Sequence, residues 1–229
     1  MQIVKVKVFT DNKIVESWLD NVNPWIKAIE NHEIETRQLI TNQAIIDAIL
    51  KKAPAKVLDI GCGEGWLVRE LVSRNINCLG IDVVPGFIEY ASEKIGRYKA
   101  LSYEQLSAEE IGEQFDVVVC NFSLFGEHSV NHLFQQVPKL LNFEGSFIVQ
   151  TLQPGASTES ESYSEGWREG SWAGFNENFT NPAPWYFRAI ESWKALFIDA
   201  GLSKLEITEP ENPETRIPAS IIFCGETGN

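Results

Sequence analysis

The chain has 229 residues, 44% of them hydrophobic and 22% charged, which is ordinary for a globular protein and long enough to bury one sizeable core. A formal net charge of −13 argues against nucleic acid as the main partner, because phosphate binding needs clustered Lys and Arg. No apolar run approaches the roughly 18 residues of a membrane span, and the first residues lack a signal-peptide core. Cys62, Cys78, Cys120 and Cys224 lie far apart without a Cys-x-x-Cys pair, so free buried thiols and a reducing, cytoplasmic setting are expected.

Residues 3–8 alternate Val4, Val6 and Val8 with Lys5 and Lys7, the pattern of a short half-exposed strand. Asp11 is placed to cap a helix carrying Ile14, Val15, Trp18, Leu19 and Val22 on one face. Pro24 ends that helix or opens a new turn, with Trp25, Ile26 and Ile29 on the apolar side. A further helix opens near Thr41, carries Ala44, Ile45, Ala48 and Ile49, and stops before Pro54. From Pro54 the periodicity alternates: strand 56–60, helix 64–74, strand 77–81, helix 86–96, strand 99–101, helix 106–112, strand 115–120, helix 127–141 and strand 146–152. Such alternation implies a parallel sheet with right-handed crossovers, and the runs Phe115–Cys120 and Phe147–Val149 lack polar alternation, as suits strands covered on both faces. A helix at 188–200 ends at Gly201. Strands 203–209 and 219–224 follow, and their short connection requires an antiparallel pair.

The stretch that organises the chain is the turn after strand 56–60. Gly61, Gly63 and Gly65 make a turn that tolerates positive φ and close approach of a ligand, and a helix opens directly behind it with free amides and a positive dipole end. The spacing is G-x-G-x-G with Asp59 two residues ahead, whereas a dinucleotide fingerprint places its third glycine one residue later. This resembles the first motif of the class I S-adenosylmethionine-dependent methyltransferases. The resemblance covers residues 35–225 in layout, although only this motif is specific in sequence. It implies a Rossmann-like three-layer α/β sandwich: a mostly parallel seven-stranded sheet with an antiparallel C-terminal strand beside the fifth. One methyltransferase domain is expected, with a strand and helical leader (1–53), a cofactor-binding core (54–152), an aromatic lid insertion (153–187) and a C-terminal helix with antiparallel strands (188–229).

The same resemblance assigns candidate roles. Asp59, Gly61, Cys62 and Gly63 would pass beside the cofactor's methionine part. Asp82, 21 residues after Gly61, would take the ribose hydroxyls, with Val83 beside it. Ser102 and Tyr103 would flank the adenine. Arg37, from the leader, would grip the cofactor's carboxylate through a two-pronged guanidinium; otherwise it is a surface Arg pairing with Glu33 or Glu35. Asn121 follows the fourth strand, where the family places a polar group facing the reactive end. The sequence there continues Phe122-Ser123-Leu124 and lacks the Pro-Pro-aromatic signature of amine-methylating nucleic-acid enzymes, which disfavours an exocyclic-amine DNA or RNA substrate. His128, opening the next helix, is a candidate base beside Asn121.

Residues 153–187 are too long for an ordinary connection. They open polar, with Pro154 and Gly155. They then turn aromatic, with Tyr163, Trp167, Trp172, Phe175, Phe179, Trp185, Tyr186 and Phe187, and Arg168 among them. A lid over the acceptor pocket with Phe122, Trp167, Arg168, Trp185 and Tyr186 facing the substrate is one reading; rings that pack onto Trp18 and Trp25 are the other. His128 and His132 have helical i, i+4 spacing but no third ligand, so no metal is expected. The expected function is methyl transfer from S-adenosylmethionine to a small organic acceptor. A non-catalytic cofactor-binding scaffold and an NAD-dependent oxidoreductase remain open, and no membrane or nucleic-acid partner is anticipated.

Overall fold

The computed structural model describes residues 8–153 and 164–228. The strand expected over residues 3–8 (bar Val8), the polar opening of the insertion and Tyr163 lie outside the described residues.

The main sheet contains β1 (Lys56–Ile60), β2 (Asn77–Asp82), β3 (Arg97–Ala100), β4 (Phe115–Asn121), β5 (Leu141–Thr151), β8 (Leu202–Thr208) and β9 (Ile221–Thr227). Two short strands, β6 (Gly166–Arg168) and β7 (Trp185–Phe187), form a separate antiparallel ribbon. The seven strands lie in the order β3-β2-β1-β4-β5-β9-β8. Strands β1 to β5 pair in parallel, and β9 lies antiparallel between β5 and β8, as the layout implied. The order reverses between β1 and β4, where an open α/β sheet leaves a crevice at its carboxyl edge.

Alternate residues of each strand feed opposite faces. Leu58, Ile60, Val118, Phe147 and Val149 pack beneath α7 (His128–Leu140) and α8 (Ile190–Asp199). Val57, Val117, Val119 and Ile148 pack with Ile45 and Ile49 of α3 (Asn42–Leu50) and Val68 and Leu71 of α4 (Trp66–Ser73). On the first face Phe134 meets Phe147 edge-on at 5.1 Å and Phe197 at 5.1 Å, an arrangement aromatic quadrupoles favour.

The leader differs from expectation in three ways. The first helix divides at the buried Asn21 into α1 (Asp11–Asp20) and α2 (Val22–Glu30), and Pro24 sits in the first turn of α2, where its missing N–H costs nothing. Asp11 does not cap its own helix. Its carboxylate accepts the amides of Glu127 (3.0 Å) and Ser129 (2.6 Å), so it caps α7 from the opposite end of the chain. Third, α3 is entered through a π-helical turn, Arg37–Thr41. Elsewhere β5 starts at Leu141, earlier than Ser146, because Leu141 pairs with Phe115 ahead of an irregularity in the ladder. Strand β3 lies at Arg97–Ala100 on an exposed sheet edge, where apolar patterning is weakest.

Candidate active site

Close approach at the switch point explains the glycines. Gly61 has φ +74°, and a Cβ there would stand 2.4 Å from that of Ser123 and 2.8 Å from the Tyr103 hydroxyl. Gly65, at φ +85°, would press a Cβ to 2.7 Å from the Tyr98 ring. Gly63 (φ +54°) is different: the nearest atom to its Cβ position is Trp25 Nε1 at 3.7 Å, so its outer face stays open to a cavity. The turn is pinned from below. Ile81 O accepts from the amides of Gly61 (2.8 Å) and Cys62 (3.0 Å), and Asp82 Oδ2 accepts the Gly63 amide at 2.9 Å. Asp82 Oδ1 takes the Val84 amide, also at 2.9 Å, which sets the entry to α5 (Pro85–Ser92).

Opposite this turn, β4 delivers Asn121 and then bends sharply: Phe122 has φ +50°, a conformation that costs energy for a side chain of its size. The bend is held by the Phe122 amide donating to Gln150 O (2.8 Å) and by Ser123 Oγ donating to Ile60 O (2.8 Å).

A cavity of about 740 Å³ occupies the space between, within the range of about 300–1,000 Å³ usual for small-molecule sites. Arg37, Gly61, Cys62, Gly63, Asp82, Val83, Ser102, Tyr103, Asn121 and Phe122 all line it. Arg37 does reach the glycine turn. Its guanidinium carbon lies 4.8 Å from the Trp66 ring centroid and 5.8 Å from that of Trp25, and its buried Nη2 has no hydrogen-bond partner. Burial lowers the Arg37 pKa to about 10, with Glu64 pulling the other way. Asn121 Oδ1 is likewise buried without a partner. Tyr103 is held by its hydroxyl, which donates to Ser123 O at 3.1 Å, so it braces the turn as well as facing the cavity.

Asp59 does not line the cavity. It is 2% exposed, behind the glycine turn, with Oδ1 unpartnered. Burial, reinforced by Asp82 and Glu64, pushes its pKa up to about 8. Burial also raises Asp82, to about 6, against the amides of Val84, Gly63 and Val83, which favour its charged form.

Four expected pocket residues and the expected base lie outside this large cavity. His128 is 86% exposed by side chain, because the buried face of α7 is Val130, Leu133, Phe134, Val137 and Leu140, and position 128 falls on the other side. Trp167 and Arg168 sit on β6: the Trp167 indole donates to Glu127 Oε2 (3.1 Å), and Arg168 stacks on Phe187 at 5.3 Å. Trp185 and Tyr186, on β7, face a smaller neighbouring cavity. Besides Tyr103 and Phe122, the rings that wall the large cavity are Trp18, Trp25, Trp66, Phe87, Phe125, Trp172 and Phe175. Trp172 and Phe175 both line it and pack on the leader, 5.6 Å from Trp18 and 6.4 Å from Trp25 respectively. Ser123 carried no sequence signal; its role comes only from the approach of β4 to β1. Among the described residues no group of three His, Cys, Asp or Glu is placed to hold a metal, and no helix is long and apolar enough to cross a membrane.

A family model for a methyltransferase domain matches residues 51–196, more than half of the sequence. The chain belongs to this methyltransferase-domain family. An uncharacterized methyltransferase of Schizosaccharomyces pombe is 29% identical over 165 residues, covering 69% of this chain and 62% of that protein. A malonyl-[acyl-carrier protein] O-methyltransferase of Legionella pneumophila is 27% identical over 115 residues, 48% of this chain and 40% of that one. The methyltransferase domain thus spans less than two thirds of the length of these curated relatives. In fold it is similar to a Burkholderia thailandensis 1,6-didemethyltoxoflavin-N1-methyltransferase, solved with 1,6-didemethyltoxoflavin and S-adenosylhomocysteine, with a TM-score of 0.63 at 15% identity over 99% of this chain and 94% of that one.

Proposed function

We propose that this methyltransferase domain binds S-adenosylmethionine and methylates a small organic acceptor in the cavity between the sheet's carboxyl edge and the aromatic lid. The observation that carries the reading is the convergence on one cavity of the open face of Gly63, the Asp82 carboxylate and the unpartnered, buried Nη2 of Arg37. Two orphaned groups, Arg37 Nη2 and Asn121 Oδ1, fit a ligand bearing both a carboxylate and hydrogen-bond donors, since buried polar atoms are otherwise satisfied. Arg37 would hold the cofactor's carboxylate, Asp82 its ribose hydroxyls, and Ser102 with Tyr103 its base. The cofactor supplies an activated methyl on a sulfonium, so the protein's contribution is alignment and dryness. Trp18, Trp25, Trp172 and Phe175 would shield that space from water, and Asn121 can orient the acceptor's nucleophilic atom by accepting a hydrogen bond from it through Oδ1. None of the three histidines faces the cavity, so any base for a protonated acceptor would have to come from the carboxylates that line it, Asp11, Glu16, Asp82 and Glu104. The small-molecule acceptor is supported by the cavity's volume and aromatic walls and by the ligand of the Burkholderia neighbour.

The test is calorimetric titration with S-adenosylmethionine, S-adenosylhomocysteine and NAD, on the wild type and Asp82→Ala. Saturable binding of both sulfur compounds, weakened at least about tenfold in the variant, is expected. NAD binding without either of them would replace the methyltransferase reading with an oxidoreductase one.

A further inference from the structure

A second cavity, of about 260 Å³, adjoins the first, and Phe125, Leu152 and Ala219 wall both. Its other walls include Trp185, Tyr186, Trp193 and Arg188. Arg188 is 5% exposed. Its Nη1 donates to Gly126 O at 2.7 Å and its Nη2 to Glu127 O at 3.0 Å. Tyr186 and Trp193 present ring faces to the guanidinium at 4.8 and 5.3 Å. Burial lowers its pKa overall, and although Glu165, Asp11 and Glu127 favour its charged form from a distance, none of them forms an ion pair with it.

A buried guanidinium without an ion-paired carboxylate is costly, and carbonyls, ring faces and the more distant Glu165, Asp11 and Glu127 offset only part of that cost. Arginine carries about five N–H donors, and the two carbonyls leave some of them for a ligand. A carboxylate accepts two parallel N–H bonds from such a fork, and the surrounding rings suit a flat apolar body. The volume is right as well, since a cavity of about 150 Å³ already admits benzene.

We propose that the smaller cavity binds the far end of the methyl acceptor, and that this end is a carboxylate-bearing aromatic ring held by Arg188. The nucleophilic end then passes Phe125, Leu152 and Ala219 into the larger cavity. The assignment of this ligand as the acceptor rests on the methyl-transfer reading above; its binding at Arg188 does not.

The probe is benzoate, titrated into the chain with S-adenosylhomocysteine present so that Arg37 is covered, and compared with benzamide, which has the same shape and no charge. Benzoate is expected to bind at least about tenfold more tightly than benzamide. That preference should disappear in Arg188→Met, checked for folding by its melting temperature and its S-adenosylhomocysteine affinity. Ala219→Leu narrows the shared wall while leaving Arg188 in place, and should also weaken benzoate. Equal binding of the two probes, no saturable benzoate binding at millimolar concentration, or unchanged affinity in both variants would overturn the proposal. Loss of S-adenosylhomocysteine binding with benzoate selectivity intact would instead sink the methyltransferase reading and spare the subsite.

Discussion

Asp59 and Asp82 stand at the ends of neighbouring strands, and their burial makes the apo protein pH-sensitive in a defined direction. A carboxyl whose folded pKa exceeds its unfolded value of about 4 binds an extra proton in the native state, so stability falls as pH rises between the two values. For Asp82 that window closes near its folded value of about 6, whereas for Asp59 it extends to about 8. Above pH 6, therefore, Asp59 is the member of the pair still losing its proton. The wild-type melting temperature is expected to fall by more than about 3 °C as pH rises from about 6 to about 8. Asp59→Asn, which keeps the shape and cannot ionise, should flatten that decline. Parallel wild-type and variant curves across the window would show that Asp59 is already ionised or is ionised at no energetic cost. The sequence marks Asp59 through its spacing to the glycines, but a carboxylate facing a ligand and one buried behind the turn have the same spacing. Only the strand's facing decides between them: Asp59 shares the face of Val57, which packs under α3 and α4.

At the scale of elements, the site is assembled by pieces distant in sequence. Asp11 of α1 caps α7. Burial alone would raise its pKa, but hydrogen bonding from Ser129 and the Glu127 amide lowers it overall, so the cap is held as a carboxylate. Asn21, between α1 and α2, is buried and grips the aromatic insertion: its Nδ2 donates to Thr180 O (2.7 Å) and its Oδ1 accepts the Thr180 amide (2.9 Å). Removing this double contact with Asn21→Ala should destabilise the protein by about 1–3 kcal/mol through unpaired buried groups. Hydrogen exchange is expected to rise over residues 171–181 first, with S-adenosylhomocysteine affinity changed by less than about threefold. Exchange rising equally in β1 and β4 would mean that Asn21 supports the whole fold and not the lid in particular. Periodicity and glycine chemistry made the central strands and their helices legible within a few residues, because burial on both faces leaves long apolar runs. The lid was legible only as a concentration of rings. Which ring reaches the large cavity depends on the β6–β7 ribbon carrying Trp167, Trp185 and Tyr186 towards α7, while Trp172 and Phe175 stay with the leader. Nothing in the local pattern separates these two groups. The π-helical turn that brings Arg37 to the glycines is equally silent in sequence.

Across the whole molecule the charge is −13, and several of its carboxylates stand at the large cavity: Asp11, Glu16, Asp82 and Glu104 line it. Such a field distinguishes the proposed cofactor from its product. S-adenosylmethionine carries a sulfonium and is a net cation, whereas S-adenosylhomocysteine has lost that charge with the methyl group. Attraction summed over an acidic molecule should therefore favour the substrate form and ease product release. Field effects reaching across the molecule are screened once the Debye length falls from about 20–30 Å at low salt to a few ångströms. Raising sodium chloride from about 0.01 M to about 1 M is expected to weaken S-adenosylmethionine by at least about threefold relative to S-adenosylhomocysteine, read from paired calorimetric titrations. The contacts proposed for Arg37 and the glycine turn would be common to both ligands and cancel in the ratio. A ratio independent of salt would place the discrimination in short-range contacts with the sulfur, and would leave the acidity of the chain as a matter of solubility alone.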